Sequence, residues 1–412
     1  MHQVQQKISA FTYPAAGWFG LVMIFGLPWS HAFFYIGFVG LLGCALASTA
    51  YYRTFFLACR QNTGLLALLL FAYIALGLLY TSAPLDMAMF DVKKYRKLLI
   101  IPVFMMVYRD VKWAKRLMIA YGFGVLSLML PTLLDGTGLM RLTSLDLSQF
   151  RDGSYSETSL VYWRNHIVHG FHVSIFFVVC VLSAIRYPRT KWLCTAMATI
   201  CIIDIVTLIH GRTALIAVIA ISLLIVLNYI SHVHLRVMVA LAILMSSVAL
   251  YELSGRIQER IDSIAREARA YAENSNTNTS GGNRLHYWSM SFNMFLDAPL
   301  TGNGPGKFRK NLEKPENPLH KELHRHAHNE YLTLLSQHGI IGLIIFFCLV
   351  QQIYQSAGRH RDIWLKGIVR IGLIIFLVNA VTDSSLHNES EGWTFVLLAC
   401  LANMRERDTE PG

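Results

Sequence analysis

Charge is scarce in this chain. Of its 412 residues only 15% are Asp, Glu, Lys or Arg, against about a quarter in an ordinary soluble domain. Acid is the scarcer sign, with 25 acidic against 36 basic residues and a formal charge of +11. The seven cysteines contain no C-x-x-C pair, and all fall in apolar runs or at inner loop ends, so no disulfide framework is expected. No G-x-x-x-x-G-K-[ST] loop occurs, which argues against an ATP engine. The first apolar run lacks a small-residue cleavage site and many further runs follow, so it does not read as a cleavable signal peptide. A nucleic-acid-coating or disordered basic protein is also excluded: such chains are polar and poor in aromatics, whereas Phe, Trp and Tyr make up 12% here.

What the chain has instead is apolar length. Hydrophobic residues make up 54%, and they gather into runs near the ~20 residues that a helix needs to cross a bilayer core. Clear runs are 31–51, 64–80, 118–134, 167–185, 192–209, 213–230, 235–251 and 339–354; shorter or weaker ones are 14–29, 98–108, 367–381 and 393–404. The expectation is an all-α polytopic membrane protein of about twelve spans, since each span must close its own backbone hydrogen bonds. Helices 1–9 fall in residues 1–251, a large loop in 252–328, and helices 10–12 with an inner C-terminus in 329–412. With Lys7 on the inner side, alternate loops are basic, at Arg53 and Arg60, Arg109 to Arg116, Arg186 to Lys191, Arg236, Arg359 to Arg370, and Arg405 and Arg407, as the positive-inside rule requires.

The remaining, outer loops break that rule, and their cations need a local reason. An anionic ligand at the outer membrane face is the simplest one. Asp91-Val92-Lys93-Lys94-Tyr95-Arg96-Lys97 is one such cluster; it reads equally as interfacial anchoring by snorkelling side chains. Arg164 stands beside Trp163, where anchoring competes with ligand binding. Arg256 to Arg269 alternate with Glu252, Glu259, Asp262 and Glu267 at helical spacing, a solvated amphipathic helix with an apolar stripe. Arg212 lies in a very short turn between two apolar runs, a position that reads as functional. Arg284 follows Ser280-Gly281-Gly282-Asn283, and its position alone decides nothing. Asp204, inside a span, reads as packed and hydrogen-bonded.

The densest polar segment is 319–332, with His320, His324, His326 and His328. Three readings compete. Alternating histidines suit a metal, although a structural site wants more Cys or carboxylate. They are equally solvated interfacial residues. One of them can also act as a general base, since a neutral imidazole titrates near neutrality, and nearby cations such as Arg325, Arg212 and Arg284 would favour the uncharged ring. His328, at the mouth of a helix beginning near Asn329, is the candidate. Gly302-Asn303-Gly304-Pro305-Gly306 follows no strand and contains Pro, so it reads as a tight turn and not as a dinucleotide loop.

Gly302-x-Gly304-x-Gly306-x-Phe308, His328-Asn329-x-Tyr331-Leu332-x-x-Leu335 and Gly339-x-x-Gly342 together resemble the signature region of the O-antigen ligase and polymerase superfamily. Lys93-Lys94-Tyr95-Arg96-Lys97, Arg212, Arg284 and Asp383 are similar to positions of the lipopolysaccharide O-antigen ligases. The resemblance implies a fold like the GT-C glycosyltransferases, with 252–328 a helical periplasmic loop, in a bacterial inner membrane. It implies transfer of O-antigen from undecaprenyl diphosphate to the lipid A-core oligosaccharide, inverting and without metal or other cofactor. His328 is then the base, Arg212 and Arg284 hold the diphosphate, and Lys93, Lys94, Tyr95, Arg96, Arg164, His326 and Asp383 bind substrate. Asp383 either orients these groups or caps a helix. Membrane lipids are the other expected partners, with no nucleic acid. An O-antigen polymerase uses the same donor. A lipid-linked-glycan flippase is the alternative of another class, but no internal repeat is evident and the polar cluster lies at one face.

Overall fold

In lipid, an apolar run can satisfy its backbone only as helix or closed barrel, and the described apolar runs use helix. The computed structural model describes residues 2–48, 50–136, 164–208, 212–275, 277–319 and 326–405. Among these residues no strand occurs; one isolated bridge joins Asp110 to Arg405. The helices are α1 (His2–Gly26), α2 (His31–Ala47), α3 (Ala50–Arg60), α4 (Asn62–Leu76), α5 (Leu85–Lys94), α6 (Ile101–Val107), α7 (Lys112–Gly136), α8 (His166–Arg186) and α9 (Lys191–Ile203). They continue with α10 (Arg212–Tyr229), α11 (Val233–Leu253), α12 (Gly255–Asn274), α13 (Ser280–Asp297), α14 (Lys307–Leu312), α15 (Glu330–Gly358), α16 (Ile363–Thr382) and α17 (Glu389–Ala402).

Seven apolar segments are long enough to cross a membrane: Asn62–Leu79, Lys112–Asp135, His166–Arg186, Pro188–Leu208, Val233–Leu253, Glu330–Gly358 and Ile363–Thr382. Shorter apolar helices lie at Pro14–Gly26, His31–Ala47 and Ala214–Tyr229. Two expected runs take other forms. The stretch 98–108 begins in a 3-10 turn, Tyr95–Ile100, and continues as the seven-residue α6. The run 393–404 lies in α17, whose residues Ser390 to Ala402 are all buried. A helix apolar on every side belongs in the middle of a bundle, and α17 packs against α6, α8, α15 and α16. At the opposite extreme α11 has no buried residue.

Two sets of buried polar groups inside the spans meet across helices, which offsets part of their desolvation. Asp204, fully buried at the start of a π-helical turn over Asp204–Leu208, meets His169 Nε2 at 3.0 Å. His172 lies between the Tyr121 hydroxyl and Ser390 Oγ, 2.7 Å from each.

The expected loop 252–328 contains α12, α13, the Gly-rich turn and α14. α13 and the turn enclose a small core of Tyr287, Met294, Phe308, Leu312, Leu319 and Ala327. The Gly-rich stretch is a turn seated on a break in α15. Gly339 has φ 62° and ψ −169°, which ends the helical hydrogen bonding locally. The N–H groups of Ile340 and Ile341 are taken instead by the carbonyls of Pro299 and Leu300, at 2.9 and 3.3 Å. Gly304 N–H donates to Gln337 O at 2.9 Å, and Gly306 N–H to Gln337 Oε1 at 2.8 Å. A Cβ on Gly339 would lie 2.2 Å from Leu300 O, in a backbone region that is essentially confined to glycine and costs an L-residue about 1–3 kcal/mol. Gly339→Ala should therefore destabilise the protein by at least ~2 kcal/mol, read as a lowered thermal midpoint in detergent; an unchanged midpoint would contradict this account of the break.

Candidate functional site

Four helix ends converge at one end of the bundle. α15 starts there, α16 finishes there, the short link to α17 closes the turn, and α5 passes into its 3-10 extension alongside. Consecutive antiparallel helices bring these termini together, so residues far apart in sequence share one polar centre.

Glu330 is at its middle, fully buried. Its Oε1 accepts the Tyr95 hydroxyl at 3.1 Å; its Oε2 accepts the N–H groups of Leu386 and His387 at 2.8 and 3.1 Å. Asp91, equally buried, accepts the Gly306 N–H at 2.9 Å and lies 3.5 Å from His387 Nε2. Lys97 is fully buried and donates to the carbonyls of His387, at 3.4 Å, and Asn388. Burial pulls the Lys97 ammonium down to about 8, against the opposing pull of Glu389. Glu389 takes Lys94 and Arg96, each at 3.7 Å, and the Trp393 indole N–H at 3.1 Å. Burial would raise its carboxyl, but Lys97, Lys94 and Arg96 prevail and lower it.

Beside this centre stands His328. Its φ is +48°, unusual for a residue with a side chain and accepted more readily by Asn, Asp and His than by most. Asn329 follows as the cap of α15, accepting the Leu332 N–H at 3.0 Å. The left-handed turn lays the imidazole next to the end of α16, where His328 Nδ1 is 3.2 Å from Asp383 Oδ1. Asp383 Oδ1 also accepts the Ser384 N–H at 2.8 Å. Burial would raise the Asp383 carboxyl; the bond from His328, the two histidines and the Ser384 N–H overcome that and lower it. The Tyr287 ring stacks on His328 at 6.0 Å and 24°, and the His326 ring stands 4.5 Å away. His326 in turn faces His387 at 5.1 Å.

With Asp383 accepting Nδ1–H, His328 keeps its Nε2 lone pair for another proton. Asp383 stands at the C-cap position of α16 with its carboxylate against the ring.

Arg284 lies on α13, three residues before Tyr287, hence on the same face. It lines a cavity of about 380 Å³ with Trp288, Leu285, Ile216, Val381 and Thr382. Glu267 lines it as well; Thr382 precedes Asp383 in the chain, but neither His328 nor Asp383 is among the lining residues. Arg212 begins α10, and Ile216, four residues on, reaches that cavity; the Arg212 side chain lies outside the described residues, as do those of Arg256 and Arg260. His320, His324 and Arg325 are also outside them, as are Trp163 and His210.

The expected residues therefore divide. Tyr95, His326, His328 and Asp383 meet in one cluster. Lys94 and Arg96 reach it through Glu389, while Lys93 is exposed. Arg164 contacts the Pro28 carbonyl, at 3.3 Å, and the His31 ring instead, so it braces the turn between α1 and α2. Sequence reasoning gave no role to Glu330, Tyr287 or His387, and it placed Asp91 and Lys97 in the outer cationic cluster without singling them out. A visible signal existed for Glu330, an acidic residue directly after His328-Asn329 in a chain with few outer carboxylates.

Residues 197–347 match the family model described as O-antigen ligase. That match supports the O-antigen ligase family. No curated protein matches the chain. The matched segment includes Arg212, Arg284, the Gly-rich turn, His326 and His328; it stops before Asp383 and begins after Lys94 to Lys97. Together with the apolar helices it supports a multi-pass membrane protein.

Removing the central carboxylate tests this arrangement. Glu330→Ala leaves three donors without their acceptor, each worth about 1–3 kcal/mol when buried. The expected result is a loss of at least ~3 kcal/mol by thermal or denaturant unfolding in detergent, with Glu330→Gln losing less. Equal stability of Glu330→Ala and the parent protein would remove Glu330 from its central place.

Proposed function

We propose that this protein is an inverting O-antigen ligase. It moves O-antigen polysaccharide from undecaprenyl diphosphate to a sugar hydroxyl of the lipid A-core, at the periplasmic face of a bacterial inner membrane. The observation that carries the reading is the His328–Asp383 pair, with His328 and the cavity-lining Arg284 both inside the segment 197–347 that matches the O-antigen ligase model.

The acceptor hydroxyl attacks the anomeric carbon of the donor sugar. As the new C–O bond forms, His328 Nε2 takes the hydroxyl proton. The bond between sugar and diphosphate breaks, and its electron pair leaves with the diphosphate. Arg284 and Arg212 hold that leaving group through charge-assisted hydrogen bonds, strongest as its charge develops. A single displacement inverts the anomeric centre. Asp383 positions the ring and stabilises the imidazolium that forms. Lys94 and Arg96 add positive potential along the approach of the anionic donor. The arginines supply the charge that a metal clamp would otherwise supply, so the proposed reaction needs no cation.

Glycan transfer with purified protein, lipid-linked donor and lipid A-core acceptor tests the roles. His328→Ala should reduce the rate by about 10²–10⁴ and Arg284→Ala by about 10²–10³, with EDTA not lowering the parent rate. Parent-like transfer by His328→Ala would remove the base, and EDTA-sensitive transfer rescued by a divalent ion would end the metal-free reading. A deletion strain separates ligase from polymerase. Loss of a ligase leaves lipid-linked polymer and bare core, whereas loss of a polymerase leaves core bearing one repeat.

A further inference from the structure

We infer that His326, His328 and Asp383 form a binding site for a borderline first-row divalent cation such as Zn²⁺, and that its occupancy inhibits the enzyme. The inhibitory half rests on the function proposed above; the binding half does not.

The three side chains bring one ligand atom each to within 4.8 Å of one another. The His328 Nδ1 to Asp383 Oδ1 separation of 3.2 Å is close to the ~3.3 Å edge of a tetrahedron with metal–ligand bonds of ~2.0 Å. The two histidine rings are already 4.5 Å apart, so small side-chain rotations complete the set. Two imidazoles and one carboxylate are a zinc-type donor set, with a fourth position left for water. Mg²⁺ and Ca²⁺ prefer oxygen donors alone and are disfavoured.

The backbone holds these donors in place before any ion arrives. The left-handed turn at His328 and the Asn329 cap fix one ring, Tyr287 supports its face, and the Ser384 N–H fixes the carboxylate. Such preorganisation favours binding. His328 and His326 are both partly exposed, which leaves the ion a route in.

Inhibition follows from the two ring nitrogens. A neutral imidazole carries one proton and one lone pair. With Nδ1–H bonded to Asp383, the lone pair is at Nε2 and can accept the substrate proton. A cation at Nδ1 takes the lone pair there. The Nδ1 proton is released and Nε2 acquires one, so the ring stays neutral overall but has become a donor where the reaction needs an acceptor. Asp383, now a ligand, no longer supports an imidazolium. The cation is thus a competitor for the base and not a cofactor.

The test uses untagged full-length protein in detergent, with Zn²⁺ titrated by calorimetry and Co²⁺ by its visible absorption. One ion should bind per chain, Co²⁺ should give the intense bands of a tetrahedral site, and excess Mg²⁺ should not displace either. His326→Gln and Asp383→Asn should each weaken Zn²⁺ binding at least tenfold, whereas His286→Gln, on α13 and bonded to Asn317, should leave it unchanged. Equal binding by the parent, His326→Gln and Asp383→Asn would overturn the site. So would binding lost in His286→Gln but kept in Asp383→Asn, or full displacement by Mg²⁺. In the transfer assay Zn²⁺ should suppress the parent enzyme and EDTA should restore it. Suppression that fails while the Co²⁺ bands persist would overturn the inhibition; an enzyme with no transfer activity at all, yet binding Zn²⁺, would instead fault the proposed function.

Discussion

The Glu330 carboxylate is the group on which the polar end of this protein depends. A carboxylate removed from water is costly unless donors replace the lost hydration. Glu330 finds three, and they come from two segments remote from it in sequence: Tyr95 on one side, Leu386 and His387 on the other. One buried charge therefore fixes the start of α15, the end of α5 and the link between α16 and α17 at once. His328 stands two residues before Glu330 and Asp383 three residues before Leu386. The segments that bring His328 Nδ1 within 3.2 Å of Asp383 Oδ1 are joined by a carboxylate that hydrogen-bonds to neither side chain. Lys97 reinforces this from the opposite side by holding the carbonyls of His387 and Asn388.

Much of the fold was legible because hydrophobic length is a one-dimensional signal. The runs at 64–80, 118–134, 167–185, 192–209, 235–251, 339–354 and 367–381 coincide with segments long and apolar enough to span, 64–80 and 192–209 each reaching one residue further. The signal failed where tertiary structure replaced lipid as the surroundings. The run 98–108 is short because it packs inside the protein as a 3-10 turn and α6, and 393–404 lies in a helix wrapped by other helices. The site was legible at His328 and Asp383, whose segments are dense in polar residues between apolar ones. The burial of Glu330, Asp91 and Lys97 was not legible. Asp91 and Lys97 read as part of a cluster at the outer membrane face, Glu330 stood out only by its position after His328-Asn329, and the convergence of helix ends turns all three inward. Arg164 illustrates the reverse: a cation in an outer position whose contacts brace a turn between two helices.

The same economy governs the interior of the bundle. Asp204 with His169, and His172 between Tyr121 and Ser390, are polar groups placed so that each partner comes from another helix. Hydrogen bonding across helices fixes rotation about the helix axis, which apolar packing leaves loosely specified. α8 contributes both histidines, so its orientation is set against α7, the turn after α9, and α17 together.

α17 has a consequence for how the protein is made. Its first turn carries Glu389 and Glu391, and every residue from Ser390 to Ala402 is buried against protein. A segment with two carboxylates and only 14 helical residues is a poor independent substrate for insertion into lipid. It is synthesised after α6, α8, α15 and α16, the helices that enclose it. Its socket, including the Lys97 ammonium that meets its first turn, can thus exist before the helix emerges. The centre of the bundle is filled late in biogenesis, by a segment admitted through its fit to protein and not through its affinity for lipid.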